Sequence, residues 1–409
     1  MITSSTNRVV VTGYGCVTAL GSCVEGTWNA LLEGRSARGP VTAIEVEGCR
    51  VTEGAQARLP DIPHLSSKRI ARLSRASRLA IPGAGEALAS SGLLGEDGRC
   101  RIPRLEMSVA TTACGMELGE GFLRSILNGR PGRRPGMVAH YQAQEQVAEI
   151  QSVYGFQGSA MIVANACAAG ANAIGHAADL IRSGMAEVVL AGGYDALCEL
   201  VFAGFDSLQT LAPDACRPFD RNRTGLMLGE GSAFLVLESE EHARRRGAPI
   251  RGLVTGYGQT TDRLHLTQPA QDGSALAGAM KQALDSARME PSQVGYINAH
   301  GTGTRFNDGA EATAFLGIFG GTDVRISSTK AALGHTLGAA GAIEALLCLM
   351  ALETGDLPPQ INVTEPEPDV AHLLVHPGER KRLDAAMSVN LGFGGSNAAL
   401  IFTPSVNRS

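Results

Sequence analysis

Cys167 lies in ANACAAGANAIGHA, where an apolar strand ending near Ala164 gives way to an Ala-rich stretch with helical character. A thiol at a helix N-terminus meets unpaired backbone N–H groups and the positive end of the helix dipole, which favour the thiolate. The same N–H groups can hold the oxyanion that forms when a nucleophile attacks an acyl thioester. Ala168, Ala169 and Gly170 leave space beside the sulfur. On composition alone, a buried structural Cys is the simpler reading, and it stands for the other eight cysteines.

Two histidines share a comparable setting. His300, in NAHGTGT, follows a short apolar strand and opens a Gly-rich turn. His335, in STKAALGHTLGAAGA, comes five residues after Lys330. An imidazole held at a strand end can face a cavity as acid, base or hydrogen-bond donor. A satisfied structural His is the alternative for each, and it holds for the other seven, with His265 a partial exception.

Two Gly patterns and one charge cluster invite other readings. VVVTGYGCVTALG offers Gly13-x-Gly15 after a strand, but Thr18 stands where a dinucleotide fingerprint needs Gly or Ala, so a tight turn is expected instead. GFGGSN, at 392–397, is a flexible loop after a strand with no Gly-Lys-Ser/Thr to make a phosphate loop. SSKRIARLSRASR, at 66–78, carries Lys68, Arg69, Arg72, Arg75 and Arg78 and no acid, in a chain of net charge −5. Lys68, Arg72 and Arg75 have the spacing of one helix face. The segment is either a solvated face or a dock for an acidic partner. It is too short, and too poor in aromatics, to point to nucleic acid.

The elements that must position these residues alternate. Strands are expected around Val9–Val11, Met161–Val163, Val188–Leu190, Phe234–Leu237, Tyr296–Ala299, Ile326–Ser328 and Met387–Asn390. Helices are expected over Ala168–Ser183, Leu276–Ala287 and Ala339–Glu353. This is an α/β pattern, and its 51 Gly suit packed layers with close backbone approach. No short repeat or low-complexity linker interrupts it. The halves are loosely alike: MIVAN leads to Cys167 and YINA leads to His300. The charged stretch EEHARRRG suggests a division into residues 1–245, carrying the thiol, and 246–409, carrying both histidines. No membrane span and no signal peptide are expected. Nine scattered Cys without a C-x-x-C pair argue against zinc ribbons and suggest reduced thiols in a cytoplasm.

Taken in order, ANACAAG, NAHGTGT, SSTKAALGHTLGAAGA and NLGFGGSN resemble the signature of the β-ketoacyl-acyl carrier protein synthase I/II family, and RPFDRNRTGLMLGEGSAFLVLE fits it too. The resemblance runs from about Arg8 to Phe402. It implies a thiolase-like, five-layered αβαβα fold of two similar halves, normally dimeric. It implies that Cys167 is acylated and that His300 and His335 support malonyl decarboxylation. Lys330 matches a lysine that pairs with an acid, and Glu311 matches that acid. The backbone N–H groups of Cys167 and Phe393 match the oxyanion hole, and Phe393 the gating aromatic. Thr302 and Thr304 match threonines that hold the phosphopantetheine arm. Lys68, Arg69, Arg72 and Arg75 lie where family members meet the acidic carrier protein. No metal or other cofactor is implied.

The second His sets aside acetyl-CoA-priming synthases, which use His and Asn. Cys167 sets aside the silent chain-length partners of polyketide systems. TTACGMELGE at 111–120, with Asn390 and Leu391, departs from the usual pattern, and GFDSLQTLAPDACRPFD has the flavour of secondary-metabolite synthases. The expected function is decarboxylative condensation that lengthens a chain by two carbons, in fatty acid or in polyketide or aryl polyene synthesis. The expected partners are acyl carrier protein and a second subunit, identical or a chain-length-factor-like homologue. A non-catalytic scaffold is the third reading, and retention of Cys167, His300, His335 and Lys330 argues against it.

Overall fold

Val-Thr-Gly-Tyr-Gly occurs twice, at 11–15 and 254–258, and each copy lies in a strand that begins one half of the fold. The computed structural model describes residues 7–62, 65–129 and 135–405. Its main sheet has strands β1 (Val9–Thr18), β2 (Glu106–Ala110), β3 (Ala160–Val163), β4 (Val188–Asp195), β5 (Gly231–Ser239), β6 (Gly252–Thr261), β7 (Val294–Asn298), β8 (Arg325–Ser327), β9 (Ala385–Gly392) and β10 (Ser396–Thr403). From the middle outwards one side runs β1-β5-β4-β2-β3 and the other β6-β10-β9-β7-β8. The pairings repeat as well: two antiparallel, then two parallel. β1 and β6 join the two sets antiparallel through Val10–Leu253 and Val11–Gly252.

The repeated glycines explain the repeated packing. A Cβ on Gly13 would lie 2.4 Å from the carbonyl O of Ala87, in the helix Arg75–Ser90. A Cβ on Gly256 would lie 2.3 Å from that of Ala283, in the helix Ser274–Ala287. Each half thus seats an outer helix directly on its first strand. The Gly13–Gly15 pattern is therefore a strand surface and not the tight turn expected from sequence.

Between the two strand sets lie the helices Ala169–Arg182 and Ala340–Thr354, whose Ala171, Ile174, Ala177, Ala342, Leu346 and Leu347 share one buried cluster. They cross where neither has a side chain: a Cβ on Gly170 would be 2.6 Å from Ala342 N, and one on Gly341 2.5 Å from Ala171 N. An alanine at either position forces the helices apart, and such overpacking costs about 1–3 kcal/mol. With the outer helices Arg75–Ser90 and Ala143–Tyr154 on one side, and Ser274–Ala287 and Arg305–Phe319 on the other, the layers are αβαβα. The segment Leu337–Thr354 is apolar enough for a membrane span by length and composition, but 89% of it is buried inside the protein. It is the central core helix.

The basic segment departs from the expectation of one continuous helix face. A four-residue helix, Ser67–Ile70, ends before Ser74 caps the next helix, with the Ser77 N–H donating to Ser74 Oγ. Lys68 and Arg72 stay exposed. Arg75 turns inward, where it forms an ion pair with the buried Glu230 and donates to the Ala57 carbonyl at 2.8 Å.

Candidate active site

β3 ends at Val163, and the chain must turn sharply to start the central helix. Ala166 takes the strain, with φ of 58°, and Cys167 follows in the one-turn 3-10 helix Ala166–Ala168. A non-Gly residue in the left-handed region is costly and persists only where its surroundings enforce it. The other half has a similar strained entry: Leu337, with φ of 53°, opens the turn Leu337–Ala339 before Ala340–Thr354. Asp195 ties this second turn to the 111–113 segment at the end of β2. It accepts from Thr111 Oγ1 (2.7 Å) and from the backbone N–H groups of Ala113 (2.8 Å) and Gly338 (2.7 Å), while burial pushes its carboxyl up to about 6.

His335 is set by two backbone bonds, its N–H to the Met227 carbonyl and its carbonyl from the Gly229 N–H. Its Nε2 lies 2.9 Å from Cys167 Sγ. The His300 ring meets it edge-on, with centroids 5.3 Å apart and planes at 88°. His300 leaves β7 into a turn with Gly301 at φ of 38°, where a Cβ would lie 2.4 Å from the Ser328 side chain. Glu311 pins that turn, accepting from the N–H groups of His300 (2.7 Å) and Gly301 (2.6 Å) and from Asn307 Nδ2 (2.7 Å).

The assignment of Glu311 as the acid that pairs with Lys330 is corrected by the geometry. Lys330 Nζ binds Glu344 Oε1, and Asn390 Nδ2 donates to Glu344 Oε2 at 2.6 Å. Glu311 is engaged by the His300 turn, so Lys330 takes the carboxylate that the central helix brings to it.

Burial, the Lys330 charge and the neighbouring His335 hold the His300 pKa well below its usual range. Burial and Lys330 do the same to His335. Both imidazoles are neutral at physiological pH, and neutral rings can donate or accept a proton. Burial pushes the Cys167 thiol up to about 12, against the pull of Lys330 and a hydrogen bond from the Phe393 backbone N–H. This departs from the low thiol pKa expected at a helix N-terminus: the sulfur is only 6% exposed as a residue, and desolvation outweighs the local dipoles.

Cys167 sits where two cavities meet. One, of about 430 Å³, is lined by His300, His335, Thr302, Thr304, Arg223 and Arg305. The hydroxyls of Thr302 and Thr304 lie 2.8 Å apart. The other, of about 450 Å³, is lined by Thr112, Leu200, Val201, Leu208 and Leu337. Phe205 and Phe393 border both, stacked with centroids 5.6 Å apart. Thr112 belongs to the unusual 111–120 segment. Cys167, His300 and His335 bring a sulfur and two ring nitrogens within 4.8 Å of one another, a set able to ligate a soft divalent ion as well as to do acyl chemistry.

The sequence reading missed Phe205, Glu344 and Asp195. Glu344 carried a signal, as the one acid in a long apolar stretch. Phe205 and Asp195 carried none.

Residues 6–243 match the family model described as "Beta-ketoacyl synthase, N-terminal domain", and residues 251–364 match "Beta-ketoacyl synthase, C-terminal domain". The chain belongs to the β-ketoacyl synthase family, as an acyl-transferring condensing enzyme of the thiolase fold. Nodulation protein E of Rhizobium meliloti (strain 1021) is 38% identical over 97% of this chain and 98% of its own length. The 3-oxoacyl-[acyl-carrier-protein] synthase 2 of Staphylococcus aureus (strain N315) is 34% identical over 98% and 99%. The solved ishigamide ketosynthase/chain length factor superposes with a TM-score of 0.90 at 33% identity, covering 98% of this chain and 100% of that one. The family works on phosphopantetheine thioesters of acyl carrier protein, without a metal or other cofactor.

Proposed function

We propose that Cys167 is the acylated nucleophile and that His300 and His335 drive the decarboxylation that follows. The observation that carries this is the 2.9 Å contact of His335 Nε2 with Cys167 Sγ at the junction of a polar and an apolar cavity. The polar cavity suits a phosphopantetheine arm, with Thr302 and Thr304 as its hydrogen-bonding partners. The apolar cavity suits the acyl chain, with Phe393 and Phe205 between them as a gate.

In the first stage the thiol gives its proton to His335 as sulfur attacks the acyl thioester. The N–H groups of Cys167 and Phe393 receive the oxyanion. The C–S bond to the carrier breaks, and the departing thiolate takes the proton from His335. In the second stage, with the sulfur acylated and the His335 ring proton moved to Nε2, malonyl-carrier protein loses CO2 and its enolate oxygen accepts hydrogen bonds from the two imidazoles. The carbanion attacks the Cys167 thioester, the sulfur leaves as thiolate and takes up one proton from solvent, and a 3-ketoacyl product two carbons longer departs on its carrier. Burial, together with Lys330 held by Glu344, keeps both rings neutral; Glu311 positions His300.

Residues 1–245 and 246–409 serve as the two halves, a division supported by the repeated strand order and the paired VTGYG segments. Lys68 and Arg72, with Arg69 beside them, serve as the dock for acidic carrier protein. A cytoplasmic setting suits nine unpaired thiols. Fatty acid elongation is supported by the Staphylococcus relative, and pairing with a chain-length partner by the ishigamide assembly. Incubation with acyl- and malonyl-carrier protein tests the reading: the enzyme should release a 3-ketoacyl-carrier product, and Cys167→Ala should not. Condensation by that variant would refute it. Product formed by the purified chain alone favours a homodimer; a requirement for a Cys-less homologue favours a heterodimer.

A further inference from the structure

Outside both cavities, His140, Glu145 and Glu149 bring ligating atoms together. His140 lies in the 3-10 turn Pro135–Tyr141, and the glutamates stand one turn apart on the helix Ala143–Tyr154. Residues four apart share a helix face, so both carboxylates look back at the imidazole. His140 Nδ1 lies 3.6 Å from Oε1 of each glutamate. That is too long for a hydrogen bond. It is close to the separation of about 3.4 Å between two ligands that each sit ~2.1 Å from one tetrahedral ion.

Two buried polar atoms of the cluster are unsatisfied. His140 Nδ1 is buried without a hydrogen-bond partner, and so is Glu149 Oε2. Glu149 is only 8% exposed, so water does not compensate its carboxylate. Ser77 donates a hydrogen bond to the carboxylate, and Arg69 and Glu145 are its other charged neighbours.

We propose that His140, Glu145 and Glu149 form an accessory site for one divalent ion of the zinc class. One imidazole and two carboxylates balance the charge of such an ion and leave a fourth position for water. The ion would satisfy the imidazole nitrogen and the buried carboxylate together. It would also lock a turn that backs the acyl cavity. The His140 carbonyl accepts from Gln146 Nε2 at 2.7 Å, and it lies 2.6 Å from where a Cβ on Gly115 would stand. Gly115 closes the segment that brings Thr112 to the apolar cavity.

The test uses the full chain with Cys167 carboxamidomethylated, which blocks the Cys167–His300–His335 ligand set. Cobalt(II) chloride is titrated in and followed by visible absorption, with bound metal measured after equilibrium dialysis. One equivalent should bind with ligand-field bands and no thiolate charge-transfer band, and zinc chloride should displace it. His140→Ala and the half-buried Glu145→Gln should each weaken binding about 10- to 100-fold, with unchanged circular dichroism. Absence of saturable binding, or equal affinity in both variants, overturns the proposal. None of these readouts depends on condensing activity, so the accessory site can fail while the catalytic reading stands.

Discussion

Lys330 and Glu344 form an ion pair deep in the interior, their side chains 2% and 3% exposed. The pair links the turn that carries His335 to the central helix, and Asn390 completes it from β9. Removing one partner of such a pair strands the other charge in a medium that cannot solvate it, at a cost of about 3–5 kcal/mol. Glu344→Gln should lower stability to denaturant by that amount, because it strands the Lys330 charge. Urea unfolding checks this. An effect of Glu344→Gln below about 1 kcal/mol would mean that Lys330 finds another partner or is uncharged.

The buried thiol predicts an unusual pH profile. Burial disfavours the thiolate, so the folded group titrates above the ordinary Cys value of about 8.5. The thiol of the free enzyme therefore stays protonated through neutrality. Alkylation of Cys167 by iodoacetamide, followed by peptide mass, should rise with pH without reaching a plateau below pH ~10. A plateau near neutrality would indicate a thiolate–imidazolium pair with His335 instead.

Docking should fall on Lys68 and Arg72. Lys68→Glu with Arg72→Glu should raise KM for carrier-protein substrates at low salt and leave kcat and folding nearly unchanged, since exposed rim charges act mainly on association. Arg75→Glu should instead destabilise the fold, because it places a second acid against the buried Glu230. An unchanged KM for the double variant removes this surface from the account.

The histidines should be separable from the thiol. His300→Ala should lower release of labelled CO2 from malonyl-carrier protein by about 10²–10³, the usual loss for one oxyanion donor. Acyl transfer to Cys167 should persist in part, because His335 is the ring in contact with sulfur. Wild-type CO2 release with abolished acylation would reverse the two roles.

The physical reach of the sequence differs from residue to residue. Cys167, His300 and His335 are legible because each is embedded among small residues at a turn that an apolar strand or helix must enter. The five layers are carried by the family resemblance; alternation by itself says only α/β. β6 escapes notice because Gly256 and Gly258 interrupt its apolar pattern, and the reason for them is a helix seated on the strand, which only the fold reveals. The two VTGYG copies carry that arrangement in the sequence, but the strand pattern alone passes over them. Arg75 reads as surface charge because its partner, Glu230, is 155 residues away. Glu311 and Glu344 both lie on helices near Lys330 in sequence, and only packing decides which one the lysine meets.

The central claim is that acyl groups pass through Cys167. Intact-protein mass after incubation with acyl-carrier protein, without malonyl substrate, tests it most directly. Wild type should gain the mass of one acyl group, mapped to the Cys167 peptide, and Cys167→Ala should gain none. An adduct on any other residue, or an equal adduct in the variant, would contradict the account.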